Sequence, residues 1–380
     1  MSYDNKRLKI AMLGQKHIPS REGGIEVVVE ELSTRMAAKG HSVTCFNRKG
    51  HHVAGKEFDN KKQTNYNGVH LVNVLTIDYK GLSAITSSIF GAARTALGFY
   101  DIVHFHAEGP SFMCWLPKIF KKKIIVTIHG LDWQRAKWGR CARWYIKNGE
   151  RNAVKYADII IVLSENVKEY FQDKYGRKTV FIPNGVNRPV LRKAKIIKEK
   201  WGLQKDSYIL FLGRLVPEKG VHYLIQAFKE IDSDKKLVIA GGSSDSNGYI
   251  NSLRELAGKN VVFTGFIQGE ELYELYSNAY LYVLPSDIEG MPLSLLEAMS
   301  YGNCCLVSSI SECISVVEDK AVVFEKSNVA DLKTKLEKLV ENKNLVEKYK
   351  ATAAGFICNK YNWDDVVEKT LEVYMTKKET

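Results

Sequence analysis

The sequence predicts an α/β chain made of two successive doubly wound units with a cleft between them. Two observations carry this. Short apolar runs that read as buried strands alternate with runs of helical period along most of the 380 residues. The alternation lapses over residues 187–206, a polar, lysine-rich stretch with no apolar period before Trp201, and then restarts. A chain of this length also suits two domains of ordinary size. The expected division falls at 190/191, with a ligand shared between the two units.

In chain order, residues 8–13 are the first strand. They run into GQKHIPSREGG, a loop rich in turn and basic residues, after which Ile25, Val28, Val29, Leu32 and Met36 recur at helical spacing. Gly40 stops that helix, and 42–46 is the next strand. Further strands are expected at 69–75, 102–105, 123–128, 159–163 and 179–182. Residues 82–100, the least polar long segment, carry Arg94 and small polar side chains, so they read as a packed helix and not a membrane span. Ser164-Glu165 looks like a capped helix start. Strand 208–212, helix 221–230 and strand 237–240 open the second unit, which continues through Val323. Asn362-Trp363-Asp364-Asp365 begins an amphipathic helix with Val366, Val367, Leu371 and Tyr374 on one side.

The composition, 45% hydrophobic and 26% charged, is that of a soluble globular protein. Residues 1–9 are polar, and the apolar run behind them is too short for a signal peptide. The 7 cysteines form no CxxC pair, and an odd number inside strand-like or helical runs points to reduced thiols and a cytoplasmic setting. The net charge of +12 is unevenly placed: residues 1–190 hold 30 Lys and Arg against 16 Asp and Glu, the rest 25 against 27. A basic half beside a near-neutral one predicts an anionic partner for the first domain.

The stretch YVLPSDIEGMPLSLLEAMSYGNCCLVSS, residues 282–309, has the strand–loop–helix–strand order of a parallel βαβ unit, whose loops and helix N-termini form the usual binding edge. Pro292 suits the first turn of its helix. Glu289 sits in the loop and Glu297 inside the helix. Both carboxylates can accept from vicinal hydroxyls, and the N–H groups of Gly290 and Met291 can serve an anionic ligand. The plainer alternative is an acid at a helix dipole and another on a solvated face. In FLGRLVPEKG, residues 211–220, Arg214 and Lys219 follow a strand end. A planar guanidinium with a mobile ammonium suits a pyrophosphate, though basic pairs before helices are commonplace.

In the first half, Gly23-Gly24-Ile25-Glu26 opens a helix. There the backbone can approach phosphates or an acceptor and Glu26 can accept from a hydroxyl; a flexible loop feeding an acidic first turn is the alternative. His104 and His106 flank Phe105 and face one way. No third ligand follows at a metal-binding spacing, so a hydrogen-bonding role near the cleft is expected. His129-Gly130-Leu131-Asp132-Trp133 follows another buried strand, and Asp132 can orient an acceptor or cap a short helix. Neither GxGxxG nor GxxxxGK[ST] occurs, which disfavours a nicotinamide cofactor.

PSDIEGMPLSLLEAMSYG resembles the donor-site signature of family 4 retaining glycosyltransferases, which have the GT-B fold of two Rossmann-like domains. The resemblance covers almost the whole chain and is strongest over 183–309. Met291 stands where the family usually has Phe, and Cys304-Cys305 where Pro-Val is common; both keep apolar bulk. The resemblance implies that Glu289 contacts the donor sugar and Glu297 the ribose hydroxyls, with Gly290, Met291, Pro292 and Leu293 lining the same loop. It implies that Arg214 and Lys219, beside Gly213, hold the donor diphosphate. His129 then lies close to the transferred sugar, and Phe263 and Gly265, expected just after a strand, lie against the base. Gly23 and Gly24 fall on the donor side, and Glu26, His106 and Asp132 are acceptor-side candidates. Pro183-Asn184-Gly185-Val186 matches the family's hinge-side loop. The terminal segment 362–380 is expected to cross back onto the first domain, leaving 191–361 as the donor domain.

Residues 14–48 further resemble bacterial cell-surface polysaccharide enzymes, some of which transfer rhamnose. Asp232-Ser233-Asp234 has the DxD form with which another glycosyltransferase class binds a cation, but beside Lys235 and Lys236 it reads as a solvated turn. The resemblance therefore implies a retaining glycosyltransferase that needs no metal or cofactor. Its donor is a nucleotide sugar, and its acceptor a saccharide or lipid-pyrophosphate-linked saccharide of capsule, exopolysaccharide or O-antigen synthesis. No carboxylate is obviously placed as a covalent nucleophile, which favours front-face displacement. A nucleoside-diphosphate-sugar 2-epimerase of the same fold and a non-catalytic nucleotide-sugar binding module are the alternatives. Finally, Lys118, Lys121, Lys122 and Lys123 stand beside Phe112, Trp115, Leu116 and Phe120, and the basic run 135–147 is interleaved with Trp133, Trp138 and Trp144. This mixture predicts peripheral association with an anionic membrane face and not with nucleic acid, unless the aromatics belong to the core.

Overall fold

Strands β1 (Lys9–Leu13), β2 (Ser42–Arg48), β3 (Asn65–Tyr66), β4 (Val69–Val74), β5 (Ile102–His106), β6 (Lys123–Ile128), β7 (Ile159–Val162) and β8 (Val180–Phe181) form one sheet. Their order is β3-β4-β2-β1-β5-β6-β7-β8, parallel throughout except for β3 against β4. A second sheet contains β9 (Tyr208–Leu212), β10 (Lys236–Ala240), β11 (Val261–Gly265), β12 (Leu281–Leu284), β13 (Cys304–Ser308) and β14 (Val322–Phe324), in the order β11-β10-β9-β12-β13-β14 and wholly parallel. These assignments come from a computed structural model, which describes residues 7–48, 63–77, 79, 81–135, 138–242 and 247–376. The central strands are near-continuous apolar runs, as sheets covered by helices on both faces require.

The chain divides into two compact units, residues 1–184 with 363–380, and residues 185–362. The lapse in the strand–helix alternation put the first boundary at 190. The chain changes unit earlier because the Val186 N–H donates to Tyr361 O (2.8 Å) and Val186 bridges to Asn362, which ties it to the second unit. The polar stretch after it is not all linker: Ile196–Trp201 is helical. The buried Glu274 carboxylate receives the N–H groups of Lys195 (2.9 Å) and Ile197 (3.1 Å) at that helix's start. A cap supplied from so far along the chain leaves no local signal.

The terminal helix, Trp363–Met375, is part of the first unit. It buries Trp363, Val366, Val367, Leu371 and Tyr374, the side on which the apolar residues were expected. Asp364 pairs with Arg35 of the helix Gly24–Ala38 (2.6 Å), and Glu368 with Lys39. The Lys123 ammonium donates to the last-turn carbonyls of Val373 (3.1 Å) and Tyr374 (2.8 Å), where the helix dipole favours a cation.

That use of Lys123 begins a correction to the basic-aromatic cluster. Lys118 pairs with Asp158 (2.6 Å) and Lys122 donates to Gly98 O (2.6 Å). Phe112, Trp115 and Leu116 pack half-buried against the first unit's core, and Trp133 and Trp138 are also half-buried. Only Phe120 and Trp144 of the aromatics named are exposed, and Lys137 lies outside the described residues. Other exposed apolar side chains lie on the helix ends that Lys122 joins: Leu97, Phe99 and Ile119 are 74%, 86% and 65% exposed. No helix among the described residues is long and apolar enough to cross a membrane.

Candidate active site

In an open parallel sheet the crevice forms where strand order reverses, at the carboxyl ends of the strands. The reversals here lie between β1 and β5 in the first unit and between β9 and β12 in the second. Each is marked by a glycine with positive φ. A Cβ on Gly14 would sit 2.2 Å from His106 O, and one on Gly220 would sit 2.0 Å from Pro285 O. Only glycine lets these loops meet. Most of the candidate residues lie at those two edges.

In the second unit, Lys219 Nζ lies 2.5 Å from Glu289 Oε1, with side chains only 14% and 8% exposed. The same oxygen accepts from Ser286 Oγ (2.7 Å), and Ser308 Oγ donates to Ser286 O (2.5 Å). Glu297 Oε2 accepts from Tyr276 OH (3.2 Å), a phenol kept protonated because burial pushes its pKa well up. Met291 is buried beneath the loop. Pro292 is the N-cap of the helix Leu293–Ser300 and not its first turn, since its ψ of 101° is extended. Gly213 closes on β10 through its N–H to Ala240 O (3.0 Å), with Arg214 half-buried directly after it.

Phe263 departs from expectation. It lies inside β11, paired with Ile239 and two strands from Arg214, with the Arg254 guanidinium 5.5 Å above its ring. The pairing of Val261, Val262 and Phe263 with β10 carries the strand past the predicted end. Gly265 ends β11, and its carbonyl accepts from Gly241 N–H (2.9 Å). Gly290 stays in the loop beside Glu289.

In the first unit, Gly23 is the N-cap of the helix Gly24–Ala38, and a Cβ there would sit 2.5 Å from Glu26 Oε2. Glu26 is buried, and its Oε1 accepts from Lys16 N–H (2.8 Å), which fixes the loop after β1. His106 Nδ1 and His129 Nε2 share a hydrogen bond of 3.0 Å. His104 stacks on His106 at 4.2 Å and bonds Tyr374 OH (2.6 Å) and Thr127 Oγ1 (2.7 Å). Burial holds His104 at about 3 and His129 at about 4, and puts His106 well below its usual value. All three are neutral imidazoles at neutral pH. Asp132 opens a short 3₁₀ turn and pairs with Arg135 (2.8 Å).

Several residues escaped sequence reading. Asp287 brackets the loop that carries Glu289: its N–H donates to Glu218 O (2.9 Å), and its carboxylate accepts from Tyr223 OH (3.2 Å) and Ser327 Oγ (2.7 Å). Tyr276, behind Glu297, lies on another helix. Glu108 and Glu150 hold the loop that carries Asp132, and their one sequence signal is Gly149 inside a helix. The DxD turn is solvated, with Asp232 and Asp234 both exposed, and all seven cysteines are free thiols. No cluster of three His, Cys, Asp or Glu side chains able to hold a metal occurs among the described residues.

Two family models match the chain: Glycosyltransferase Family 4 over residues 22–188 and Glycosyl transferases group 1 over 193–356. The uncharacterized glycosyltransferase MJ1607 of Methanocaldococcus jannaschii is 27% identical, with 97% of this chain and 98% of the relative covered. The UDP-Gal:alpha-D-GlcNAc-diphosphoundecaprenol alpha-1,3-galactosyltransferase of Escherichia coli is 26% identical over 73% of this chain and 75% of its own. The sucrose-phosphate synthase structure from Thermosynechococcus elongatus shares the fold with a TM-score of 0.82, covering 97% and 98% of the two chains at 21% identity. With one model on each Rossmann-like unit and a GT-B fold, the chain belongs to the glycosyltransferases of the family 4 type.

Proposed function

We propose that the chain is a retaining glycosyltransferase that moves a sugar from a nucleoside diphosphate to a saccharide or lipid-pyrophosphate-linked saccharide of a cell-surface polysaccharide. The observation that carries this is the second unit's switch-point edge, where Lys219 pairs with Glu289 (2.5 Å) on the loops that also carry Arg214 and lead into the helix of Glu297. Arg214 and Lys219 neutralise the departing diphosphate, which is electrostatic catalysis. Glu289 accepts from the donor sugar and Glu297 from the ribose. The bond from the anomeric carbon to the phosphate oxygen breaks as the acceptor oxygen bonds to that carbon on the same face. The acceptor proton passes to the leaving phosphate oxygen, and because Arg214 with Lys219 supplies the positive charge, no metal is required. The E. coli relative's printed name, with a UDP-sugar donor and a diphosphoundecaprenol-linked acceptor, supports both substrate classes.

The test is a panel of nucleoside-diphosphate sugars, read by thermal stabilisation and by product analysis with donor alone and with lipid-pyrophosphate saccharides. Transfer only when acceptor is present, undiminished in EDTA, is expected. Conversion of donor alone to its 2-epimer would replace this reading. Activity lost in EDTA and restored by manganese would remove the metal-independent step.

A further inference from the structure

Behind the acceptor-side loop of the first unit lie two buried carboxyl groups. Glu108 stands in the turn Glu108–Ser111 after β5, and Glu150 in the helix Arg140–Tyr156. Both are fully buried and within hydrogen-bonding reach of each other. Gly149 permits the approach, since a Cβ there would sit 1.9 Å from Glu108 O. Glu150 collects four donors: Trp133 Nε1 (3.1 Å), Tyr170 OH (2.8 Å), Lys174 Nζ (2.9 Å) and Tyr175 OH (2.5 Å). Such a site holds the ionised form. Glu108 Oε2 accepts from Asp132 N–H (2.8 Å), whereas its buried Oε1 meets no donor. Two adjoining buried carboxylates do not both ionise. A proton on Glu108 Oε1 answers both difficulties, because that oxygen then donates to Glu150.

We propose that Glu108 and Glu150 share one proton and so clamp the loop 129–135, making Glu108 a positioning residue for His129 and Asp132. Glu108 holds the backbone of Asp132, and Glu150 holds the indole of Trp133. The titration directions agree with this geometry. Burial, then the charge of Asp132 and the bond to Glu150, raises Glu108 well above the usual carboxyl range. Burial opposes the charge on Glu150 as well, but the bonds from Glu108, Tyr175, Lys174 and Tyr170 outweigh it and lower its pKa. The other charges facing the pair are Asp132 with Arg135 on the loop, and Lys147, 4.5 Å above the Trp133 ring. The folded state keeps a proton that the unfolded chain has released. The clamp is therefore complete at low pH and is lost as pH rises through the raised value of Glu108. Its relevance to transfer rests on the proposed place of His129 and Asp132 near the substrates; the clamp itself does not.

Hydrogen exchange separates the two. Amide exchange of peptides covering 129–135 is followed in the full chain from roughly pH 6 to 10, corrected for intrinsic rates, in wild type, Glu108→Gln and Glu108→Ala. Glutamine donates to Glu150 and accepts from Asp132 N–H without titrating. We expect Glu108→Gln to keep its protection at every pH and Glu108→Ala to exchange about tenfold faster throughout. Wild type should match Glu108→Gln at low pH and move toward Glu108→Ala at high pH. Wild-type and Glu108→Gln profiles that coincide over the whole range overturn the shared proton, even if Glu108→Ala fails to fold. Exchange in Glu108→Gln as fast as in Glu108→Ala overturns it too. Preserved clamp behaviour with unaltered transfer in Glu108→Ala would instead count against the loop's place at the substrates.

Discussion

Lys219, proposed to meet the diphosphate, is bonded to Glu289, the carboxylate proposed to meet the sugar. Because the Lys219 and Glu289 side chains are 14% and 8% exposed, breaking the pair strands a charge with little water to receive it. Lys219→Ala should therefore cost stability, by about 1–3 kcal/mol in urea unfolding, and Lys219→Ala/Glu289→Ala little more than the worse single variant. Strict additivity would show that the two charges do not depend on one another. In turnover, Lys219→Ala and Arg214→Ala should each lose about 100-fold or more, the scale for removing a donor to developing charge. Glu297 differs. Its loss lets the Tyr276 hydroxyl donate to Ser294 O (3.3 Å) in its place, so the fold should hold. Titration of free UDP should show Glu297→Ala binding about tenfold or more weaker, with Glu289→Ala much nearer wild type. The reverse order would exchange their roles. The placement of both glutamates was legible, because a loop acid and a helix acid in one βαβ unit are local features. The partners that orient them, Ser286 apart, come from other elements and left no local trace.

At the scale of the element, β5 shows how far a strand can be read. Its alternation put His104 and His106 on one face, and they do stack. What the alternation could not supply is the environment, since Tyr374 lies 270 residues away on a helix that only tertiary packing brings close. That environment makes a pH prediction. Burial depresses His104 to about 3 from an ordinary 6.5, so below that ordinary value the unfolded chain binds protons that the folded chain refuses. Stability from this source is fully present above about pH 6.5 and falls as pH drops, by up to about 1.4 kcal/mol per pH unit for each such histidine. Between about pH 6.5 and 5, above most carboxylate titration, the slope in His104→Gln should be shallower than in wild type by about that amount. Equal slopes in chemical denaturation would mean that His104 is not held neutral. The same limit explains the helix Ile196–Trp201, whose N-terminal acceptor Glu274 sits on a distant helix. It explains Phe263 differently: strand ends are set by pairing, which periodicity does not report.

At the scale of the whole molecule, the charge asymmetry was legible and its use was not. Lysines that looked like a membrane patch turn out to tie helices and carbonyls together, which composition cannot distinguish from free surface charge. Among the described apolar side chains left in water are Leu97, Phe99 and Ile119, on two helix ends that the bond from Lys122 to Gly98 O holds together, with Arg94 exposed one turn before Leu97. If the acceptor is lipid-linked, we expect this face to meet the bilayer. Co-sedimentation with vesicles containing anionic lipid is expected at low salt, weakened by high salt and by Phe99→Glu with Ile119→Glu. Binding unchanged by those substitutions would place any membrane contact elsewhere. Chain connectivity has a further consequence, for the order of events on the ribosome. The first unit borrows its last helix from the end of the chain, so the second unit, contiguous over 185–362, is fully synthesised before the first is. At about 5–20 residues per second, roughly 10 to 40 s separate the emergence of residue 184 from that of the terminal helix. Throughout that interval the nascent first unit carries an unfilled apolar slot for Trp363, Val367 and Tyr374, and a buried histidine still lacking its phenol.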